Sequence, residues 1–334
     1  MKQNLKICFM NKPSKRGGPG TFQVNFEKYL KKNSVEVIYP EDNKEPDLII
    51  IISGTRRLFW VISKKIKGVK VIQRLDGMNW KFQYQSIGLL EKIKQRLQNF
   101  LMAFIRRYIA DHIIYQSKFI EEWWNIKYGI VSNNSIIPNG TILKDKLKID
   151  LDHNNELIIT CIEGNIQNDE VTIATLDYLN NTLIKNPRID KIEIYGDTSL
   201  LENYEHHFKN ISFEGYIERD KIKNMLIKNR RIFFLLELNP PCPNSMIEAI
   251  SAGLPCIGFD TGSFKELLSG AGKYIPYDAN VWKLEKPDFS LIYDEIEEMI
   301  DKYEFYKKKS LEISKKYEIE NIFNLYFQVI QKLV

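Results

Sequence analysis

The chain is poor in the residues that build metal sites or disulfide frameworks. Four cysteines and four histidines occur in 334 residues, and none stand at metal-ligand spacing. Cys8, Cys161 and Cys256 fall in apolar runs that read as buried strands, and Cys242 falls in a Pro-rich loop. His112, His153, His206 and His207 form no cluster. No apolar run approaches the roughly 18 residues of a membrane-crossing helix. The opening MKQNLKICFMN enters a strand directly, without the apolar stretch and cleavage site of a secretory signal. A reducing, cytoplasmic compartment is therefore expected. A dinucleotide fingerprint is missing as well. The glycines after the first strand lack the G-x-G-x-x-G spacing, and no acid closes the second strand where a nicotinamide ribose would need it.

Hydrophobic residues make up 44% of the chain, enough at this length for two cores of ordinary size. Charge is uneven. Residues 1–150 hold 27 Lys and Arg against 13 Asp and Glu, and the remainder holds 21 against 30. A basic first half joined to an acidic second half calls for different partners. An anionic membrane surface fits the first half, and so does a merely solvated Lys-rich surface. Nucleic acid is not expected, because no binding-module motif accompanies the charge.

Strands and helices alternate throughout, the pattern of parallel sheets with crossover helices. In the first half the pattern predicts strands over 6–10, 35–39, 47–52, 69–75, 111–115 and 135–137. Helices are predicted over 21–32, 56–66, 89–107 and 118–127. The polar stretch 144–155 (KDKLKIDLDHNN) reads as a linker. Strands then follow over 157–162, 191–195, 211–213, 232–236, 255–259 and 273–275, with helices over 170–183 and 220–228. The tail from Asp288 reads as helical, with an aromatic and apolar face of Tyr317, Ile322, Phe323, Tyr326 and Phe327. Two α/β domains, 1–145 and 146–315, and a terminal helix over 316–334 follow.

The most informative stretch is 240–259, PPCPNSMIEAISAGLPCIGF. It reads as a loop, an N-cap at Asn244 or Ser245, a short helix with Glu248 in its first turn, a closing Gly253 and a buried strand. A helix start offers free N–H groups and a positive dipole end, which favour a phosphate or another anion. A carboxylate one turn in accepts hydrogen bonds from sugar or ribose hydroxyls. The plainer reading of Glu248 is a carboxylate that only complements the dipole. The string resembles the donor-site segment of GT-B glycosyltransferases of the family 4 type. In that family the helix start holds the nucleotide diphosphate and the glutamate binds ribose. Glu248, Ala249 and the following SAGLP match the second half of the family's Glu-x7-Glu signature. Eight residues before Glu248 stands Pro240, where the family has the glutamate that contacts the donor sugar; Glu237 is the nearest acid.

Other segments fit the same resemblance. The loop 13–20 (PSKRGGPG), with Arg16 and Gly18, is similar to the family's glycine-rich loop after the first strand, where glycine lets backbone approach a ligand. Cys161-Ile162-Glu163-Gly164-Asn165 ends the first strand of the second domain. After that glycine the family carries an arginine, and about five residues later a lysine, which neutralise the departing diphosphate. This chain has Asn165 and Glu170 instead. Lys15, Arg16 and the helix start at Asn244 and Ser245 are the candidates to replace that charge. Thr261-Gly262-Ser263 resembles the family's Gly-Gly-x-x-Glu turn, with hydrogen-bond donors for the sugar; Glu266 follows. Arg74 and Asp76 stand at the strand end where the family has a histidine. Asp76 would accept a hydroxyl hydrogen bond or act as a base, or else hold an Asx-turn on its own backbone. Ser117 reads as an N-cap, and Ile137-Pro138-Asn139-Gly140 as a turn that marks the fold.

The resemblance implies an α/β, GT-B architecture of two Rossmann-like domains with a cleft between them and a last helix crossing back to the first. The first domain would take the acceptor and the second the nucleotide sugar. The implied activity is metal-independent, retaining transfer of a hexosyl group to a glycan or lipid-linked acceptor, in surface polysaccharide or glycoconjugate synthesis. Asp76 and Glu248 would be catalytic. Donor contacts would come from Arg16, Gly18, Gly164, Asn165, Asn244, Ser245, Glu248, Thr261 and Gly262. No cofactor is implied, the nucleotide sugar being a substrate. Two rivals stand beside this reading: a sugar-nucleotide epimerase of the same fold, and a non-catalytic sugar-nucleotide-binding protein, raised by Pro240, Asn165 and Glu170. The helix over 89–107 is amphipathic and basic. It lies on anionic lipid, which makes the protein peripheral on the membrane, or turns its apolar side to the core.

Overall fold

The computed structural model describes residues 5–14, 17–84, 88–143, 156–201 and 205–334. The chain divides into two compact units, Met1–Gly140 with Ile319–Val334, and Thr141–Glu318. The first contains β1 (Lys6–Phe9), α1 (Gly18–Lys32), β2 (Glu36–Ile38), β3 (Leu48–Ile52), α2 (Leu58–Ile66), β4 (Lys70–Leu75), α3 (Leu89–Phe104), β5 (His112–Tyr115), α4 (Lys118–Tyr128) and β6 (Asn134–Ile136). The second contains β7 (Leu157–Asn165), α5 (Glu170–Asn181), β8 (Lys191–Asp197), β9 (Ser212–Gly215), α6 (Arg219–Leu226) and β10 (Arg230–Leu235). It continues with α7 (Asn244–Ser251), β11 (Cys256–Phe259), α8 (Phe264–Leu268), β12 (Gly272–Ile275), α9 (Ser290–Asp301) and α10 (Tyr303–Ser314). The last helix, α11 (Ile319–Leu333), belongs to the first unit.

Each unit is built on a six-stranded parallel sheet, β2-β1-β3-β4-β5-β6 in the first and β12-β11-β10-β7-β8-β9 in the second. The apolar runs dictate this. Along β1, Ile7 and Phe9 join one core cluster while Cys8 and Met10 join another; along β3, Leu48 and Ile50 part in the same way from Ile49 and Ile51. A strand buried on both faces has no polar face to alternate with, so it reads as a continuous hydrophobic run. In the second sheet the winding reverses between β7 and β10, and in the first between β1 and β3. Ligands of doubly wound sheets bind beyond the carboxyl ends of the strands at such a reversal.

Several expectations move by a few residues, each for a physical reason. Helix α1 starts at Gly18 rather than near Thr21, because Pro19 is accommodated in its first turn, where a missing N–H costs nothing. The helix expected over 89–107 leaves the α-helical path at Phe104 and ends in a π-helical turn, Ile105–Ile109. The turn after β11 runs into a short helix, α8, that the sequence pattern did not suggest. The linker 144–155 lies outside the described residues. Tyr317 does not share the aromatic face of α11. It packs in the second unit, with its hydroxyl donating to the carbonyl of Leu267 at 2.8 Å. All four cysteines are buried and free. Burial pushes the Cys8 thiol up to about 12, which keeps it protonated and unreactive at neutral pH.

Helix α11 is held on the first unit by rings. Phe323 lies 5.0 Å from Phe26, and Tyr326 lies 5.1 Å from Phe22, centroid to centroid. The buried guanidinium of Arg74 completes the join. Its Nε donates to the Tyr326 hydroxyl at 3.1 Å, its Nη2 to Asn139 Oδ1 at 2.6 Å, and its carbon sits 4.1 Å from the Phe22 ring centroid. One side chain at the end of β4 thus ties together α1, the Ile-Pro-Asn-Gly turn and α11. Gly140 in that turn is required by space, since a Cβ there would stand 2.9 Å from Ile319 Cα. Tyr326→Phe removes the acceptor of a buried N–H, and a loss of about 1–3 kcal/mol is expected in urea denaturation. An unchanged midpoint would show that α11 does not depend on Arg74.

Candidate functional site

The carboxyl ends of β7, β10 and β11, neighbours in the second sheet, converge on the reversal point. Beyond β10 the chain passes Glu237, Leu238 and Asn239 to the prolines and then enters α7. The backbone N–H of Glu237 donates to Glu163 Oε1 at 3.2 Å, tying the end of β10 to that of β7. On the other side the loop is clasped to the turn after β11. Asn239 N–H donates to Thr261 Oγ1 at 3.1 Å. The N–H and hydroxyl of Ser263 both donate to the carbonyl of Pro240, at 2.9 and 2.8 Å. Gly262 sits at φ +60°, and a Cβ on it would lie 2.5 Å from the Asn239 carbonyl carbon. Thr261, Gly262 and Ser263 therefore shape the loop before they offer anything to a ligand.

Helix α7 begins one or two residues earlier than an N-cap at Asn244 or Ser245 implies, and its cap is different. Pro243 is the N-cap, in extended conformation, and makes no side-chain cap bond; Asn244 and Ser245 are the first two residues of the helix. Proline has no side-chain oxygen to give the leading N–H groups. The first intrahelical bond is Ile247 N–H to the Pro243 carbonyl at 3.2 Å. The leading amides, on the half-buried Asn244 and Ser245, form the kind of helix start that takes an anion. Glu248 falls at the fifth helical position, not in the first turn, and is buried. The far end closes as expected at Gly253, φ +82°. Gly253 N–H reaches the Ile250 carbonyl at 3.0 Å, and Leu254 N–H the Ala249 carbonyl at 3.0 Å, the paired bonds of a Schellman stop.

At the end of β7, Gly164 and Asn165 are exposed, and a Cβ on Gly164 would meet nothing within 4 Å. Glu170 opens α5 and pairs with Lys286 at 3.4 Å, so the position where the resemblance implied a lysine carries an acid with its own cation. Both side chains are more than half exposed, and such a pair adds little to stability. Sequence reasoning passed over Asn239. It is buried, sits at φ +50°, and its Nδ2 has no hydrogen-bond partner among the described residues. The Asn-Pro dipeptide was the available signal, since it marks a turn.

In the first unit, Gly18 lies in the first turn of α1 rather than in a loop. The chain folds back over that turn so closely that a Cβ on Gly20 would overlap the Ser14 carbonyl. Lys15 and Arg16 lie outside the described residues. Asp76, just past β4, is half-buried. Its Oδ1 accepts from Ser53 Oγ at 3.0 Å, and its carbonyl accepts from Trp124 Nε1 at 2.9 Å. Its carboxylate is thus held by β3's end and not by its own backbone, and Oδ2 has no partner among the described residues. Arg74, the other polar candidate there, is buried in the join to α11. Ser117 caps α4, accepting from Ile120 N–H at 3.3 Å. Among the described residues, no group of three His, Cys, Asp or Glu side chains is placed to hold a metal ion, and no helix is long and apolar enough to cross a membrane.

No protein-family model and no curated protein sequence matches this chain. Solved structures do. Anabaena Alr3699/HepE in complex with UDP-glucose superposes with a TM-score of 0.68 at 14% identity, covering 99% of both chains. Sucrose-phosphate synthase from Thermosynechococcus elongatus gives 0.73 at 12% identity, again over 99% of both. The lipopolysaccharide outer core galactosyltransferase WaaB in its apo form gives 0.68 at 13%, over 99% of this chain and all of that one. The likeness is one of fold: two parallel six-stranded α/β units, as in GT-B glycosyltransferases.

Gly262→Ala tests the clasp. A non-glycine residue in the left-handed region costs about 1–3 kcal/mol, and the overlap with Asn239 adds to it. Calorimetric unfolding should show a lowered melting temperature. An unchanged one would mean that the turn relaxes freely and does not fix the loop.

Proposed function

We propose that the chain is a glycosyltransferase whose second unit binds a nucleotide-sugar donor. The observation that carries this reading is the start of α7 at the winding reversal of the second sheet, with Glu248 one turn behind it. The fold it shares with HepE, whose structure holds UDP-glucose, supports a UDP-linked sugar as the first probe. The diphosphate would lie on the amides of Asn244 and Ser245, and Glu248 would accept hydrogen bonds from ribose. Gly164 and Asn165 would line the approach from β7, where the absent Cβ leaves room for the ligand. Thr261 and Gly262 would act by holding the loop.

The reaction in this reading is retaining, metal-independent hexosyl transfer of the family 4 type. The bond from the anomeric carbon to the phosphate oxygen breaks, the acceptor oxygen bonds to the same face, and the departing phosphate takes the acceptor's proton. No protein nucleophile is needed. The α7 amides stabilise charge as it develops on the leaving phosphate. Asp76 Oδ2, without a hydrogen-bond partner among the described residues, would accept a hydrogen bond from a second hydroxyl of the acceptor and so help to orient it. The acceptor would be a glycan or a lipid-linked saccharide, which places the enzyme in surface polysaccharide or glycoconjugate synthesis.

Calorimetric titration with UDP-glucose, then with other nucleotide sugars, checks the donor site. Glu248→Gln should lower affinity at least about tenfold, or ~1.4 kcal/mol, in a variant whose circular dichroism shows it folded. Wild-type affinity in that variant removes Glu248 from the site. Asp76→Asn should leave donor affinity intact and slow transfer by about a hundredfold or more, measured as product formed with and without acceptor. Equal transfer rates would remove Asp76 from the reaction.

A further inference from the structure

Helix α3 is turned the wrong way for a soluble crossover helix. Leu89, Leu90, Ile93, Leu97 and Phe100 share one stripe at helical spacing, and all five are exposed; Leu90 is 84% exposed, Phe100 63% and Leu97 61%. The side facing the sheet buries Met102, Ala103 and the polar Asn99. Asn99 fixes that orientation. Its Oδ1 accepts from Asn79 N–H at 3.0 Å and its Nδ2 donates to the Asn79 carbonyl at 2.7 Å. Rolling the apolar stripe inward would break both bonds and bury the cations beside it. The core-facing alternative holds for the end of the helix, where Leu101 and Phe104 pack on a core cluster, and not for the five residues of the stripe.

The charge around the stripe is of one sign. At 100° per residue, Arg96 falls at one edge of the apolar arc with Lys92 beyond it, and Lys94 falls at the other edge. Glu91 is the sole acid within Leu89–Phe104, and Lys94 holds it at 3.0 Å. Exposed Arg107 and Tyr108 follow in the π-helical turn. An apolar stripe about 18 Å long, bordered by cations on both edges, matches a bilayer surface in which the stripe enters the acyl boundary and the headgroups on either side are anionic.

We propose that α3 docks the first unit on an anionic lipid bilayer, lying in the interface plane with Leu89, Leu90, Ile93, Leu97 and Phe100 submerged and Lys92, Lys94 and Arg96 among the headgroups. Docking is independent of the donor site and stands whether or not a nucleotide sugar binds. It would bring a lipid-linked acceptor to the unit that carries Asp76.

The test uses the full chain and vesicles of phosphatidylglycerol mixed equally with phosphatidylcholine, against vesicles of phosphatidylcholine alone, read by co-sedimentation. The wild type should bind the mixed vesicles, at least about tenfold more weakly the neutral ones, and more weakly at high salt. Leu97→Gln/Phe100→Gln should lose about tenfold or more in partitioning with unchanged circular dichroism and melting temperature, since both side chains are exposed. Lys94→Glu/Arg96→Glu should lose the preference for anionic lipid. Failure of the wild type to bind mixed vesicles, or wild-type binding by the first variant, overturns the proposal. So does a lipid-free dimer in ultracentrifugation that the first variant dissociates, because a second copy would then be what covers the stripe.

Discussion

The carbonyl of Pro240 accepts two hydrogen bonds from one residue, Ser263, and the geometry of the second unit's candidate site depends on them. With Thr261 receiving the N–H of Asn239, they fasten the loop after β10 to the turn after β11, while Glu163 fastens the start of the same loop to β7. Three adjacent strand ends are thereby locked together. Where α7 starts, and the direction in which its first amides point, follows from that lock rather than from a side-chain bond of its N-cap residue. A site whose donors are backbone groups is only as well aimed as the loop that carries them, so the bonds belong to its recognition as much as to its stability.

The proposed chemistry has a quantitative consequence. A helix start carries roughly half an elementary charge, whereas the arginine and lysine implied by the family resemblance would bring two full ones. At those two positions this chain has an exposed Asn165 and a Glu170 paired with Lys286. Oriented amides and full cations both hold the diphosphate more strongly as charge grows on the leaving oxygen, and full cations contribute the larger share. On the proposed reading, binding and departure of the nucleotide therefore both lean on the α7 amides, with less charge than the family's pair would bring.

The strands were legible because burial on both sheet faces leaves unbroken apolar runs, which no other element of this length mimics when alternated with amphipathic helices. The helix around Glu248 was legible in existence and in its glycine stop. Its cap was not, because Asn244 and Ser245 have stronger local preference than Pro243 and only the packing of Cys242 and Pro243 decides. The clasp was invisible for a different reason: Asn239 and Thr261 lie 22 residues apart, and local preferences carry no information on such pairs. Helix α3 shows a third kind of gap. Periodicity shows that one side is apolar but not which side the fold covers, and the pair of hydrogen bonds between Asn99 and the Asn79 backbone turns the stripe outward.

Arg74 and Asp76 show how a structural residue can keep a candidate functional one available. They stand two residues apart at the end of β4, and a direct ion pair would have been the simplest arrangement. Arg74 instead gives its N–H groups to Tyr326 and Asn139 and lays its guanidinium on Phe22, all neutral partners. A buried cation served only by neutral acceptors stabilises less than one facing a carboxylate. The join to α11 accepts that loss, and among the described residues the Asp76 carboxylate has the hydroxyl of Ser53 on one oxygen and no ion pair. An acid already paired with arginine is a poor acceptor for a substrate hydroxyl. On the proposed reading, diverting Arg74 into the packing of the last helix keeps Asp76 available to an acceptor hydroxyl.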